Sequence, residues 1–336
     1  MENRKSFQTD PSLKLMDRVQ QALTYYQYAY RTEQSYTRWI KAYIRYLGAR
    51  NVPENRYQKE IDSFLSYLSE EKRLSDSSRK QALNAIAFLY KRVFDVPVDV
   101  DIEPVKVRKE PQLPVIMTLA EVRAVLSRLK GKHLLMVQLL YGSGLRLMEC
   151  VRLRVHQLNF KRNKIFITPL KGGKERAVMI PESIRDDLVA RVESVRQQHQ
   201  KDVSRGYGRV CLPGNLSKKY RGTESDFIWQ YIFPSKKITT DTRTGVTGRS
   251  HVLESGVQKA VQTARKKAGI KKQISCNTFR HTFAVHLLEG NVSLQTVKEL
   301  MGHADVRTTQ VYLRFLEKRD ISRLSPLDRL HSQENS

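Results

Sequence analysis

Between residues 97 and 117 the chain reads PVDVDIEPVKVRKEPQLPVIM, and its four prolines allow no helix to run through it. What lies before and after this break is therefore expected to fold as separate units. Upstream, residues 12–29, 33–47, 58–70 and 78–94 each carry apolar residues at helical spacing, such as Trp39, Tyr43 and Leu47, or Leu83, Ile86, Phe88 and Leu89. Downstream, Thr118 and Glu121 in TLAEVRAVL form a capping box that starts a second domain. The expected organisation is a helical domain over 1–100, a basic linker over 101–116, a second domain over 117–316 and a tail over 317–336. With 336 residues and 40% apolar content there is material for a core in each domain.

The second domain is expected to be α-rich with a small β-hairpin. In NKIFITPLKGGKERAVMIP two β-branched runs, Ile165 to Thr168 and Ala177 to Ile180, flank a Gly-Gly turn. A long polar stretch, 201–250, is broken by DFIWQYIFPS, and ordered domains rarely keep such a loop without a use. Short helices return at 278–289 with Asn277 as the N-cap, at 293–301 between Ser293 and Gly302, and at 306–316. The fold class that follows is mainly α.

Charge narrows the function. Sixty Lys and Arg against 34 Asp and Glu leave a net charge of +26, which points to a polyanionic partner. Arg31, Arg38, Lys41, Arg45, Arg79, Lys80 and Lys91 are placed to follow a phosphate backbone, and Lys106, Arg108 and Lys109 would let the linker lie against DNA. No apolar run approaches the length of a membrane span and the N-terminus has no signal-peptide core, so the expected site of action is the cytosol, on nucleic acid. Cys150, Cys211 and Cys276 are far apart, and the eight histidines show no metal-ligand spacing, so no metal is expected.

Four segments hold the candidate chemistry. YGSGLRLMECVRLR places Arg146 after a glycine bend at a helix start, and TPLKGGKER places Lys171 at a hairpin tip. NTFRHTF supplies Arg280, followed by His281. LMGHADVRTTQVYLRF supplies His303 after a helix-ending glycine and Tyr312 nine positions on, with Val311 and Phe315 expected to anchor the last helix and turn Tyr312 off the buried row. Taken singly, each has an ordinary reading. Arg146 is equally a surface charge, Lys171 a solvated turn residue and Tyr312 an amphipathic residue at a core edge.

Together, in this order and at these distances, GSGLR, KGGKER, TFRHTFAVHLLEG and LMGHADVRTTQVYL resemble the catalytic boxes of the tyrosine recombinase (phage integrase) family. Residues 12–100 resemble that family's helical, SAM-like core-binding domain, so the likeness spans nearly the whole chain. The segment LPGNLSKKYRGTESDFIWQYIFPS followed by SHVLESGVQKAV is similar to the extra segment of integron integrases, with which YGSGLRLMECVRLRV and SPLDRL also agree. The resemblance implies a recombinase without metal or other cofactor. Tyr312 would be the nucleophile that forms a 3′-phosphotyrosyl bond, Arg146 and Arg280 would clamp the phosphate, Lys171 would protonate the leaving oxygen and His303 would hydrogen-bond a phosphate oxygen.

The chain departs from the family at Asn277, where a histidine is usual three residues before the second arginine. An asparagine hydrogen-bonds but does not take up a proton. The expectation is an assembled site that cleaves slowly, with a decayed, purely DNA-binding protein and a type IB topoisomerase-like enzyme as the alternatives. The resemblance also implies duplex attachment sites and folded single-stranded hairpins with extrahelical bases as substrates. A homotetramer on DNA is implied too, with residues 317–330 packed into a neighbouring protomer or back on their own domain. In the insertion, Trp229, Tyr231 and Phe233 would either stack on an unpaired base or anchor the segment, while Lys218, Lys219, Tyr220 and Arg221 would meet phosphates.

Overall fold

Contacts in the computed structural model divide the chain into two units, one within Met1–Glu110 and the other within Pro111–Ser336. The residues described are 9–28, 30–48, 57–96, 113–168, 175–212, 219–220, 222–241 and 244–316. The first unit comprises helices α1 (Leu15–Tyr25), α2 (Tyr30–Leu47), α3 (Tyr57–Glu70) and α4 (Asp76–Phe88), the last running into one π-turn at Leu89–Val93. In α3 the row Ile61, Phe64, Leu65, Leu68 follows the i, i+3, i+4, i+7 pattern, and all four are buried, each stabilising the unit by roughly 2 kcal/mol. Ser75 caps α4 by accepting the Ser78 N–H at 3.3 Å, and Ala82, Leu83, Ala85, Ile86 and Phe88 are buried where α4 meets α2 and α3.

The basic surface of this unit is as expected except at one position. Arg31, Arg38, Lys41, Arg45, Lys80 and Lys91 are exposed, whereas Arg79 is buried. Its guanidinium is paired with Asp76 and donates to Ser69 Oγ at 3.0 Å, so it serves the start of α4 rather than solvent.

In the second unit the Thr118–Glu121 capping box is formed, with bonds of 3.2 and 2.8 Å, and opens α5 (Leu119–Leu126). There follow α6 (Gly131–Gly142), α7 (Leu147–Val151) and an antiparallel sheet of β1 (Leu158–Asn159), β2 (Lys164–Ile167) and β3 (Arg176–Met179) in that order. After α8 (Arg185–Val203) and a short ribbon, β4 (Thr239–Thr240) with β5 (Thr247–Gly248), come α9 (Glu254–Lys267), α10 (Cys276–Glu289) and α11 (Leu294–Met301). Two single turns, α12 (Arg307–Gln310) and α13 (Leu313–Leu316), end the described chain.

α10 lies between two cores, with Phe279 in the larger and Phe283, Ala284, Val285 and Leu288 in a smaller one shared with Val297, Met301 and Tyr312. Its place is fixed further by His286, whose Nδ1 takes the Tyr141 hydroxyl at 2.8 Å while Nε2 donates to Met117 O at 3.0 Å. In the sheet, Ile165 opposes Val178 and Ile167 opposes Arg176. Ile165, Ile167 and Val178 are buried, so strand alternation turns Arg176 inward as well.

The stretch 201–250 is tied down by two arginines. Arg154 is buried and donates to Trp229 O at 2.6 Å, Cys211 O at 2.7 Å and Tyr231 Oη at 2.8 Å. Arg249 makes a two-bonded pair with buried Asp202, at 2.6 and 2.7 Å, and donates to the carbonyls of Ser235 and Lys236. These charge-assisted bonds add to the small apolar cluster of Val210, Leu212, Trp229 and Tyr231 in a stretch otherwise polar.

Candidate active site

The C-terminus of α11 gathers the charged groups. Gly302 ends that helix in the left-handed region, φ 60°; the N–H groups of Gly302 and His303 turn back to Glu299 O and Lys298 O, and the carbonyls of Leu300, Met301 and Gly302 are left to side chains. Three arginines from three other elements take them in turn: Arg176 Nε donates to Leu300 O at 2.9 Å, Arg280 Nη2 to Met301 O, and Arg146 Nη2 to Gly302 O at 3.0 Å. The negative end of the helix dipole thus offsets part of their mutual repulsion. No side chain fits at 302, since a Cβ would lie 2.9 Å from Arg176 Cδ.

Each arginine is positioned by its own element. Arg146 is the N-cap residue of α7, just after Gly144, whose φ is 62° and whose Cα hydrogen face meets the Phe283 ring so closely that a Cβ would stand 2.5 Å from it. Arg280 is buried in α10 and also donates to Gly144 O, so this corner is held to α10 by a ring contact and a hydrogen bond. Arg176 begins β3. Glu149 in α7 ties two of the three together, accepting from Arg176 Nη1 and Nη2 at 3.0 and 2.6 Å and from Arg146 Nη1 at 2.9 Å. It also accepts the Arg146 backbone N–H at 2.8 Å.

Three guanidinium groups against one carboxylate leave the cluster positive, and its charge states are settled by its surroundings. Burial alone would raise the Glu149 carboxyl, but the bonds from Arg176 and Arg146 outweigh it and hold the group ionised, below its usual range. Burial, then the Arg146 charge, push Arg280 down to about 9, still a cation at neutral pH. His303, the residue after Gly302, bonds Thr309 Oγ1 through Nδ1 at 2.9 Å. Burial and the nearby Arg280 and Arg146 push it down to about 4, so its imidazole is neutral.

Tyr312 completes the group. Its hydroxyl shares a 2.8 Å hydrogen bond with His281 Nδ1, and its ring lies 6.4 Å from that of His303, tilted by 27°. Burial raises its phenol, and Arg280 and Arg146 only partly pull it back, so the resting residue is protonated. Its packing reverses the expectation from spacing. Tyr312 is 3% exposed while Val311 is 36% exposed, because the expected helix over 306–316 breaks into α12 and α13 and the turn between them points Tyr312 into the smaller core.

A second correction concerns Asn277. The N-cap of α10 is Ser275, whose hydroxyl accepts the Thr278 N–H at 3.4 Å while Thr278 Oγ1 accepts the Ser275 N–H at 2.9 Å. Asn277 is the second residue of the helix, exposed, and Arg280 falls in its second turn. The conflict between Arg280 and the helix dipole is thereby eased, since the dipole acts mainly within the first turn.

Residues 107–319 match the phage integrase family, and residues 15–99 match its N-terminal SAM-like domain. The chain belongs to the phage integrase family. Members are tyrosine recombinases. An integrase/recombinase of Escherichia coli is 37% identical over 319 residues, 95% of this chain and 94% of that protein. Tyrosine recombinase XerD of Listeria innocua is 26% identical over 84% of this chain and 86% of its own length. The fold is shared with two solved structures, each at a TM-score of 0.58 and 16% identity. A lambda integrase dimer bound to a core site aligns over 93% of this chain and 98% of its own, and XerH recombinase bound to its difH substrate over 92% and 85%.

The structure therefore brings Arg146, Arg280, His303 and Tyr312 of the family boxes together, with Asn277 one helical turn before Arg280 and His281. Lys171 lies outside the described residues, as do Lys106, Arg108, Lys218 and Arg221. Lys219 is exposed, with Nζ 5.3 Å from the Tyr220 ring centroid. Trp229 is buried among Val210, Leu212 and Tyr231, donates to Thr223 Oγ1 at 3.1 Å and meets His156 edge-on. Tyr231 and Phe233 are buried too, so Trp229, Tyr231 and Phe233 anchor the insertion and present no open stacking face. Arg176, Glu149 and His281 carried no assigned role in the sequence. The signal for Arg176 was its place on the inward register of β3, and for Glu149 its spacing three residues after Arg146.

Proposed function

We propose that the chain is a site-specific DNA recombinase in which Tyr312 attacks a phosphodiester, its Oη–P bond forming as the P–O5′ bond breaks, to leave a 3′-phosphotyrosyl bond and a 5′-hydroxyl. The observation that carries this reading is a protonated tyrosine beside three arginines whose single carboxylate is already committed. A phosphate entering there finds net positive charge and draws on N–H donors that Glu149 and the carbonyls of Gly144, Met301 and Gly302 hold in its absence. Arg146, the most exposed of the three, and Arg280 are assigned to the two non-bridging oxygens, where they stabilise the charge of the phosphorane. We assign the Thr309 hydroxyl as donor to His303 Nδ1, the tautomer in which the neutral ring carries its proton on Nε2 and donates it to the phosphate. Lys171 is assigned to protonate the leaving 5′-oxygen. Rejoining is the reverse, with bond energy held in the phosphotyrosyl link.

We assign the substrate to gene-cassette sites of the integron type, on the strength of the 201–250 insertion and its buried arginine ties, acting in the cytosol as a tetramer on DNA. Asn277 is assigned a slowing effect. The test is incubation with a nicked suicide duplex. A covalent protein–DNA complex, absent in Tyr312→Phe, is the expected result; no complex from the unaltered protein, with DNA binding intact, would leave only a binding protein. Faster strand exchange on a bulged hairpin than on the matching duplex supports the cassette assignment, and the opposite order refutes it.

A further inference from the structure

In α10 the positions 277 and 281 are one turn apart on the same face, i and i+4. The first holds an exposed asparagine and the second a half-buried histidine whose Nδ1 is 2.8 Å from Tyr312 Oη. A buried phenol that must become a nucleophile has to give its proton to something, and among the described residues His281 is the side chain bonded to that oxygen. Asn277 has no site for a proton.

We propose that His281 is a catalytic residue of this protein, taking the Tyr312 phenol proton on Nδ1 as the Oη–P bond forms and returning it on rejoining, so that it fills the acceptor place that Asn277 leaves vacant. The inference rests on the recombinase reading above. The step balances: one proton passes from Oη to Nδ1, the P–O5′ bond breaks, and the 5′-oxygen takes a proton from the acid assigned at Lys171. For Nδ1 to accept, the neutral ring carries its hydrogen on Nε2. The groups that face His281 are Arg280 on its own helix, His303 from the end of α11 and Tyr312 from the α12–α13 turn. Burial, then Arg280, lower its basicity in the free protein, which keeps the ring neutral and ready to accept. When a phosphate pairs with Arg280, that cation's repulsion is offset and the imidazolium becomes easier to form. Proton transfer is thus favoured once DNA is in place.

The role predicts a pH signature that a packing contact would not give. In the unaltered protein, single-turnover cleavage of a suicide duplex rises with pH and levels off once His281 is neutral. In His281→Gln the hydrogen bond to the phenol is kept but the acceptor is lost. Cleavage is expected to fall by about 100-fold and to climb with pH without levelling, because Tyr312 then loses its proton to solvent. A substrate with a 5′-bridging sulfur, whose leaving group needs no acid, is expected to leave the His281→Gln defect in place while relieving that of Lys171→Ala. Added imidazole is expected to restore part of the rate in the smaller variant His281→Gly, which covers the case of a poorly folded glutamine variant. A rate within twofold of the unaltered protein, a uniform fall with the pH plateau kept, or rescue by the sulfur substrate would each overturn the proposal. Failure of the unaltered protein to form any adduct would instead remove the recombinase reading on which it stands.

Discussion

At the scale of single residues, Glu149 decides whether three cations can share one site. Its loss in Glu149→Gln leaves Arg176 and Arg146 without their counter-charge, and breaking so largely buried a pair is expected to cost about 3 kcal/mol, read as a lower midpoint in thermal unfolding. The sign with pH follows from its lowered carboxyl. The stabilisation it brings is complete above the ordinary glutamate range, about pH 4.3, and fades as pH falls through its lower folded value. The unaltered protein should therefore lose its margin over Glu149→Gln on acidification; a constant difference between them would contradict the assignment. Asn277→His adds an ionisable donor one turn from Arg280 and His281 on the exposed edge of α10, and is expected to speed suicide-substrate cleavage by up to about tenfold. An unchanged rate would show that this position tolerates asparagine without penalty.

At the scale of elements, the insertion depends on polar ties as well as on a small apolar cluster. Arg154→Ala strips donors from the buried carbonyl of Trp229 and the part-buried one of Cys211, and a buried carbonyl left unpaired costs about 1–3 kcal/mol. The loss is local, so limited proteolysis should cut within 205–250 sooner while the cores built on α6 and α10 resist; equal protection would count against Arg154 as the tie. The same elements show where sequence reading succeeds. Rows such as Ile61, Phe64, Leu65 and Leu68, the Thr118–Glu121 box, the two strands β2 and β3 to within a residue and the Ser293 and Gly302 ends of α11 obey local rules and were legible. The break between α12 and α13 was not, since Val311 and Phe315 have helical spacing and only packing against α10 shows that Tyr312 is the buried residue. Ser275 and Asn277 are both good caps by type, and the choice between them was made by the reciprocal bond with Thr278. Trp229 could stack or anchor by its chemistry, and the buried Arg154 pulling on its carbonyl selects anchoring.

At the scale of the whole molecule, the candidate site was legible as an ordered set of boxes and illegible as a network. The resemblance of GSGLR, KGGKER, TFRHTF and LMGHADVRTTQVYL to the family's boxes named Arg146, Lys171, Arg280, His303 and Tyr312, yet nothing in it shows that Leu300, Met301 and Gly302 each take a different arginine, or that His281 holds the Tyr312 hydroxyl. Those facts depend on elements up to 156 residues apart meeting at one helix end. On the recombinase reading proposed above, a net charge of +26 would draw the molecule to DNA, and the cluster at the end of α11 would give the phosphate a place to stop. The central claim is that Tyr312 there becomes covalently joined to a 3′-phosphate. It is tested most directly by digesting the trapped adduct and identifying the peptide and the strand end it carries. The account predicts a phosphotyrosine at Tyr312 linked to the 3′ end, with a free 5′-hydroxyl on the released strand; a link at another residue, or to a 5′-phosphate, would contradict it.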